Sequence, residues 1–477
     1  MIFIVLLIAL VIRFISLNQS LWLDEGINVN VARALNFKSL FFDYSLSDFH
    51  PPLYHLILRE WILLFGSSEI SVRLPSVILG VATVFITYLI GKKLFENKTA
   101  LIGATLLATS PLHIYYSQEA RMYMLAAALV SLSVYFFISI LKKDSLWVWF
   151  GFVISTTLML YTDYLPYLLI PVYLFYLLIG RKKVASSTLK SFIPAFILIL
   201  ILIVPWLIIL PKQLQVGLSA KTASPAWAQI VGSPNLQNLA VTFVKFTIGR
   251  ISYDNNLIYA LLFAPAALFV IFLFLLSLLR MSYLRFFLWF WFFGPILIGF
   301  ILAYFIPVFS YFRFIFILGA YYLIWSMAIN TINWKPLIRI LLSFALIINL
   351  TSSAFYLSMP RFQRENWREA TSYVEKTSDE NSLILFESPY TFGPFDYYNR
   401  GKTQAVGALE NFNPSQSEVR NKLDDLTRNK NRIFLFQYLS QITDPRGLVF
   451  EELTKLGFNN IKTDNFNGVG FLYEFKR

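Results

Sequence analysis

Two adjacent carboxylates, Asp24 and Glu25, sit in the stretch Leu21-Trp22-Leu23-Asp24-Glu25-Gly26, just past the first hydrophobic segment of the chain. Charge is scarce in the first 358 residues, so a charged side chain at the edge of an apolar run needs a reason. A hydrophilic reaction at a membrane face needs a base, a clamp for anions and a groove shaped to its substrate. Either Asp24 or Glu25 can serve as the base. Arg121 and Arg313 can neutralise a phosphate. Trp22, Tyr54, Tyr115, Tyr116 and Tyr123 offer faces on which a sugar ring can stack, although 18% aromatic content makes any single ring a weak signal. His50, His55 and His113 are the only histidines. Asp48, His50, His113 and Glu119 are candidate ligands for a divalent metal, though in no patterned arrangement.

Each of these residues also has a plainer reading. In Ser110-Pro111 through Glu119-Ala120-Arg121-Met122-Tyr123, Glu119 and Arg121 can simply pair with each other or snorkel to the interface. The functional alternative makes them a polar wall of a substrate site, with His50 and Glu119 shaping the pocket. Arg313 at the start of a span either snorkels or meets an anion. Asp163, alone between two apolar runs, can mark nothing more than a turn.

The elements that must hold these groups are mostly apolar helices. The chain has 477 residues, 57% hydrophobic and 14% charged, and its mean hydropathy is +0.61. Apolar runs near the ~20 residues needed to cross a bilayer recur along it. The spacing predicts about eleven spans: 2–17, 70–91, 99–114, 122–141, 145–162, 164–180, 190–210, 256–279, 286–306, 311–330 and 337–357. Met1–Leu17 lacks a basic leader and a small-residue cleavage site, which favours an uncleaved first span. With no cysteine, disulfide and thiol chemistry are excluded.

Loop charge gives the orientation. Lys92, Lys93, Lys98, Lys142, Lys143, Arg181, Lys182, Lys183, Lys190, Arg280, Arg285, Lys335 and Arg339 all fall on one set of short loops, with only Glu96 and Asp144 as acids. The positive-inside rule makes these loops cytoplasmic. Asp24, Glu25 and the C-terminus then lie outside, at the plasma (inner) membrane. The net charge of +13 resides entirely in the membrane part. That suits membrane lipids as partners and argues against nucleic acid.

The first outer connection, 18–69, carries two amphipathic pieces, 26–37 and 53–65, expected to lie in the interface plane. Pro111 should break the third span. The fourth outer connection, about 211–255, shows no obvious structure and reads as a lid or binding loop. From 359 to 477 the composition changes. An amphipathic helix from Arg361, strands at 382–386, 432–436 and 468–475, and helices near 416–428 and 449–457 predict a small extracytoplasmic α/β domain beside a membrane domain of residues 1–358. Neither part carries a glycine-rich phosphate loop, which disfavours nucleotide-driven chemistry.

Taken together, Leu21-Trp22-Leu23-Asp24-Glu25, His50-Pro51-Pro52-Leu53-Tyr54-His55, Arg73-Leu74-Pro75-Ser76 and Tyr115-Tyr116-Ser117-Gln118-Glu119-Ala120-Arg121 resemble the N-terminal half of glycosyltransferase family thirty-nine, the protein O-mannosyltransferase-like group. Asn366-Trp367-Arg368-Glu369-Ala370 also resembles its prokaryotic members, among them aminoarabinose lipid A transferases. The resemblance implies a polytopic α-helical membrane protein of the fold-C glycosyltransferase type. It implies an inverting transfer from a polyprenyl-phosphate-linked sugar to a lipid, glycan or protein acceptor. It makes Asp24 the acid/base candidate, with Glu25 beside it, and for some relatives it implies a divalent metal. Rival readings are a lipid-linked sugar transporter or flippase, and an oligosaccharide ligase or polymerase. A transporter should show charges on both sides and an internal repeat, and neither is evident here.

Overall fold

The structure, a computed structural model, describes residues 1–143, 145–223, 232 and 234–477. Asp144 and part of the fourth outer connection lie outside the described residues. Seven helices are long and apolar enough to cross a membrane: Glu69–Leu94, Tyr123–Lys142, Ser186–Leu207, Asn256–Ser277, Tyr283–Leu302, Tyr311–Ile329 and Lys335–Ser358. The other four expected spans fall on shorter helices, Ile2–Phe14, Asn97–Ala108, Leu146–Leu160 and Leu165–Ile179. Length alone therefore supports seven of the eleven. Many apolar side chains of these helices face outward, among them Phe3, Leu146, Leu200 and Leu268. That is the surface lipid requires, since helices satisfy their backbone groups internally. The chain is an integral membrane protein.

The third expected span is broken where proline demands it. Asn97–Ala108 ends, Ser110 caps the next helix by accepting the His113 N–H, and Pro111 takes the first position of Pro111–Ser117. In the first connection the two amphipathic pieces are helices Leu23–Ala34 and Leu53–Phe65, joined by a π-helical turn at Leu40–Tyr44. The fourth connection corrects the expectation of a structureless loop. It contains the helices Leu210–Ala223 and Leu236–Ile248, and Gly249, at φ +69°, ends the second one just before Arg250.

The C-terminal part is a five-stranded mixed sheet: β1 (Ser382–Phe386), β2 (Ala405–Gly407), β3 (Arg432–Gln437), β4 (Asn459–Phe466) and β5 (Gly470–Lys476). The order is β2-β1-β3-β5-β4, with β1 parallel to β2 and β3, and with β5 antiparallel to β3 and β4. Alternation along β1 and β3 builds two apolar layers. Leu383, Leu385, Ile433 and Leu435 face helices Gln416–Thr427 and Leu448–Lys455. Ile384, Phe386, Phe434 and Phe436 face Trp367 of helix Trp367–Thr377, and Leu23 of the first connection packs into this second layer.

Candidate active site

The site is built around the first turn of helix Leu23–Ala34, which places Asp24 and Glu25 at its positive end. The two carboxylates part there. Glu25 turns inward and is 0% exposed. Its Oε1 accepts Arg73 Nε at 2.8 Å and the Ala120 N–H at 2.8 Å, and its Oε2 accepts Arg73 Nη2 at 2.5 Å. Arg73 donates its remaining N–H groups to the carbonyls of Leu17, Gln19 and Ser20, so all five are used. Burial pushes the Glu25 carboxyl up, but Arg73, backed by Arg364 and the Ala120 amide, more than offsets this and holds it below the usual carboxylate range. Asp24 turns outward. Its side chain is 32% exposed, and its one ion pair among the described residues, to Arg121 Nη2, is 3.4 Å long.

A second wall comes from Pro111–Ser117 and the turn after it. Glu119 and Arg121 touch through the backbone, Arg121 N–H to Glu119 O at 2.8 Å, but their side chains have other partners. Arg121 goes to Asp24 and lies over the Tyr123 ring. Glu119 is fully buried and accepts Arg364 Nη1 at 2.9 Å. Burial raises the Glu119 carboxyl against the pull of Arg364. Arg364 also stacks on the Tyr115 ring at 3.8 Å, donates to the Tyr115 carbonyl at 3.1 Å, and donates to the Tyr115 hydroxyl. Arg250 donates to that same hydroxyl and lies 4.7 Å from the same ring. Two cations thus converge on one phenol.

The third wall is the turn 44–50 with helix Leu53–Phe65. His50 Nδ1 lies 3.5 Å from Asp48 Oδ1, and His55 Nδ1 lies 3.9 Å from Asp48 Oδ2. His55 Nε2 meets Asn28 Oδ1 at 3.1 Å, which ties this wall to the helix of Asp24. Burial drives the His55 pKa down to about 4 despite Asp48. Burial raises Asp48, but His50, then His55 and Arg121, bring it below the usual range. Gln213, in the first helix of the fourth connection, donates to the carbonyls of Ser45, Asp48 and His50 and so fastens that connection over the wall.

Of the metal-ligand candidates, Asp48 and His50 adjoin. His113 does not join them: it is buried against Arg13, whose Nη2 is 2.7 Å from its Nδ1. Among the described residues no group of three or more His, Cys, Asp or Glu is arranged to hold a metal. Tyr54, Tyr115, Tyr116 and Tyr123 are all buried, and Tyr116 and Tyr123 pack with Phe312. Arg313 is half-buried beside Phe312. Trp22 is partly open and lies under Arg364.

Among the residues of these three walls, several buried polar atoms have no hydrogen-bond partner: Trp22 Nε1, Arg121 Nε, Arg364 Nε, Tyr54 Oη, Glu119 Oε1 and Asp48 Oδ2. Unmatched buried donors and acceptors are costly unless something else completes them. Arg250 and Arg364 were not among the sequence candidates. A lone arginine after a glycine, and one in a charged run, carry no pattern that marks a site.

Residues 49–209 match the model of the dolichyl-phosphate-mannose-protein mannosyltransferase family. No curated protein sequence matches the chain. ArnT from Cupriavidus metallidurans in the apo state is similar over 99% of this chain and 97% of its own, at 11% identity and a TM-score of 0.57. The same protein bound to undecaprenyl phosphate gives 12% identity and 0.56 with the same coverage. The archaeal oligosaccharyltransferase AglB from Archaeoglobus fulgidus, in complex with an inhibitory peptide and a dolichol-phosphate, is similar over 99% of this chain and 74% of its own, at 12% identity and 0.58. With that family segment and that shared architecture, the chain is a membrane protein that has the fold of these transferase structures and that is similar, over residues 49–209, to the dolichyl-phosphate-mannose-protein mannosyltransferase family.

Proposed function

We propose that this chain transfers a sugar from a polyprenyl-phosphate-linked donor to an acceptor at the extracytoplasmic face of the inner membrane, with inversion and with Asp24 as the base. The observation that carries the reading is the different fate of three carboxylates. Glu25 and Glu119 are buried and bound by arginines, whereas Asp24 stays partly exposed, with a 3.4 Å contact to Arg121. The orientation rests on the loop charges. The donor class is supported by the family segment and by relatives that bind undecaprenyl phosphate or a dolichol-phosphate.

In this mechanism an acceptor hydroxyl gives its proton to Asp24, and its oxygen attacks the anomeric carbon. The bond from that carbon to the phosphate oxygen breaks on the opposite face, and the lipid phosphate leaves with the electron pair. Arg250 and Arg313, which form no ion pair among the described residues, meet the phosphate charge, with Arg121 and Arg364 adding to the field. Trp22, Tyr54 and Glu119 complete hydrogen bonds to the sugar, with His50 at the rim; Tyr115, Tyr116 and Tyr123 back them. Glu25 positions the turn rather than taking protons. If a divalent metal takes part, Asp48, with its unmatched Oδ2, and His50 are the residues that fit it, and it would supply further charge for the phosphate. No step above depends on it.

The test is a mass shift on candidate lipid, glycan and peptide acceptors after incubation with defined polyprenyl-phosphate sugars. Asp24→Asn should abolish the shift while the protein stays folded and still binds undecaprenyl phosphate. Unchanged turnover in that variant removes Asp24 from the mechanism.

A further inference from the structure

We infer that Glu365 of the α/β domain is a positioning residue for Asp24, so that this domain is a working part of the site and not an appendage. The inference rests on the reading of Asp24 as the base.

The argument begins with the chain that enters the domain. Residues 364–368 run alongside residues 18–23. The Arg364 N–H donates to Gln19 Oε1 at 2.9 Å, the Arg368 N–H donates to Ser20 Oγ at 3.1 Å, and Arg368 Nη2 donates to the Asn18 carbonyl at 2.7 Å. Between those two stitches lies Glu365. Its Oε1 accepts the Tyr438 hydroxyl and its Oε2 accepts Trp367 Nε1, each at 2.8 Å, so the domain itself fixes the carboxylate. The Leu23 N–H, the first of the helix that carries Asp24, lies near enough to favour the ionised form of this carboxylate. A helix N-terminus is where an anion is best placed to hold the first turn.

The same turn is gripped from two further sides. The Leu23 side chain packs into the layer of Trp367, Phe392 and Phe395. Gly26 lies directly on the backbone of Gly393 and Pro394: a Cβ on Gly26 would stand 2.4 Å from Pro394 N, and one on Gly393 would stand 2.6 Å from Ile27 N. Asn30 Nδ2 donates to the Gly393 carbonyl at 2.8 Å, and the Leu21 N–H donates to the Tyr398 hydroxyl at 2.9 Å. The first turn is therefore held by the α/β domain as well as by Arg73 and Ala120 of the membrane part.

Charge adds a second effect. The groups facing Glu365 are Asp24 from the helix, Tyr438 beyond β3, and Trp367. Its neighbours Arg364 and Arg368 are committed to Glu119 and Glu69. Burial, opposed by Trp367 and Tyr438 and reinforced by Asp24, brings the Glu365 carboxyl up to about 7. Above that pH Glu365 is ionised, and its charge strengthens its hold on the positive end of the helix that carries Asp24. Below it Glu365 is neutral and that help is lost.

The test uses the full chain in nanodiscs. Wild type, Glu365→Gln and Asp24→Asn are assayed for undecaprenyl phosphate release from undecaprenyl-phosphate sugars. Glu365→Gln mimics the neutral form, so the wild type should exceed it about tenfold near pH 8 and match it near pH 6. A ratio that does not change with pH means an ordinary packing role and overturns the inference. A transferring Asp24→Asn variant overturns the underlying reading instead. A measurement without substrate completes the test. Hydrogen exchange of the amides of Leu23 to Gly26 should speed up about tenfold in Glu365→Ala, with Tyr123–Lys142 unchanged. An unchanged first turn also overturns the inference.

Discussion

Arg73 grips Glu25 through both carboxylate oxygens, at 2.8 and 2.5 Å, with both residues buried, while Asp24 one position earlier stays partly exposed. Glu25→Gln leaves the Arg73 charge buried without its counter-ion. The expected cost is about 3–5 kcal/mol of stability. Asp24→Asn disturbs only a half-open pair and should cost less than about 1 kcal/mol. Thermal unfolding of the two variants in the same detergent separates them, and equal losses would show that the two carboxylates are not divided in this way.

Arg364 stacks on Tyr115 while it bonds Glu119. Lysine carries the charge but has neither the planar face nor the fork for both contacts. Arg364→Lys should therefore lose about tenfold or more in transfer rate, as expected for a lost charge-assisted contact. A lysine variant with wild-type turnover would reduce Arg364 to a structural cation.

A methyl group on Gly26 has no room against Pro394. Gly26→Ala should destabilise the protein by about 1–3 kcal/mol and lower the transfer rate. Gly393→Ala should do the same. Because both open one and the same contact, the double variant should fall short of the sum of the two. Full additivity in unfolding measurements would mean that the contact is not shared.

His55 is neutral when folded down to about pH 4, whereas a free histidine protonates near 6.5. Between those values the unfolded chain binds a proton that the folded chain does not, so stability falls as pH falls, by up to about 3 kcal/mol over the window. At lower pH Glu25 and Asp48, both held below the usual carboxylate range, add a further loss as they protonate. Unfolding temperatures of the wild type and His55→Gln from about pH 6.5 to 4.5 should converge as pH falls. Parallel curves would contradict the buried neutral imidazole.

Much of this was legible along the chain because local patterns carry it. Asp24 and Glu25 stand out after an apolar run, Pro111 dictates a break, and the amphipathic stripe of 53–65 gives a helix. What was hidden depends on distant pairing. Arg364 and Glu365 read only as charges in a polar run, and their meaning comes from Glu119 and Leu23 at the other end of the chain. The plainer reading of Glu119 and Arg121 as each other's partners gives way, because Arg364 and Asp24 take them instead. β4 carries no apolar alternation because Asn459, Asn460, Lys462 and Thr463 leave both of its faces exposed, as an edge strand allows. Helix Leu236–Ile248 leaves little trace in the sequence because the connection around it lacks strong periodicity.

The stitch between Gln19 and Arg364 spans 345 residues. The stretch around Asp24 therefore draws its anchors from both ends of the chain: a chain cut before Trp367 would keep the Arg73–Glu25 pair but lack the contacts of Trp367, Gly393 and Tyr398.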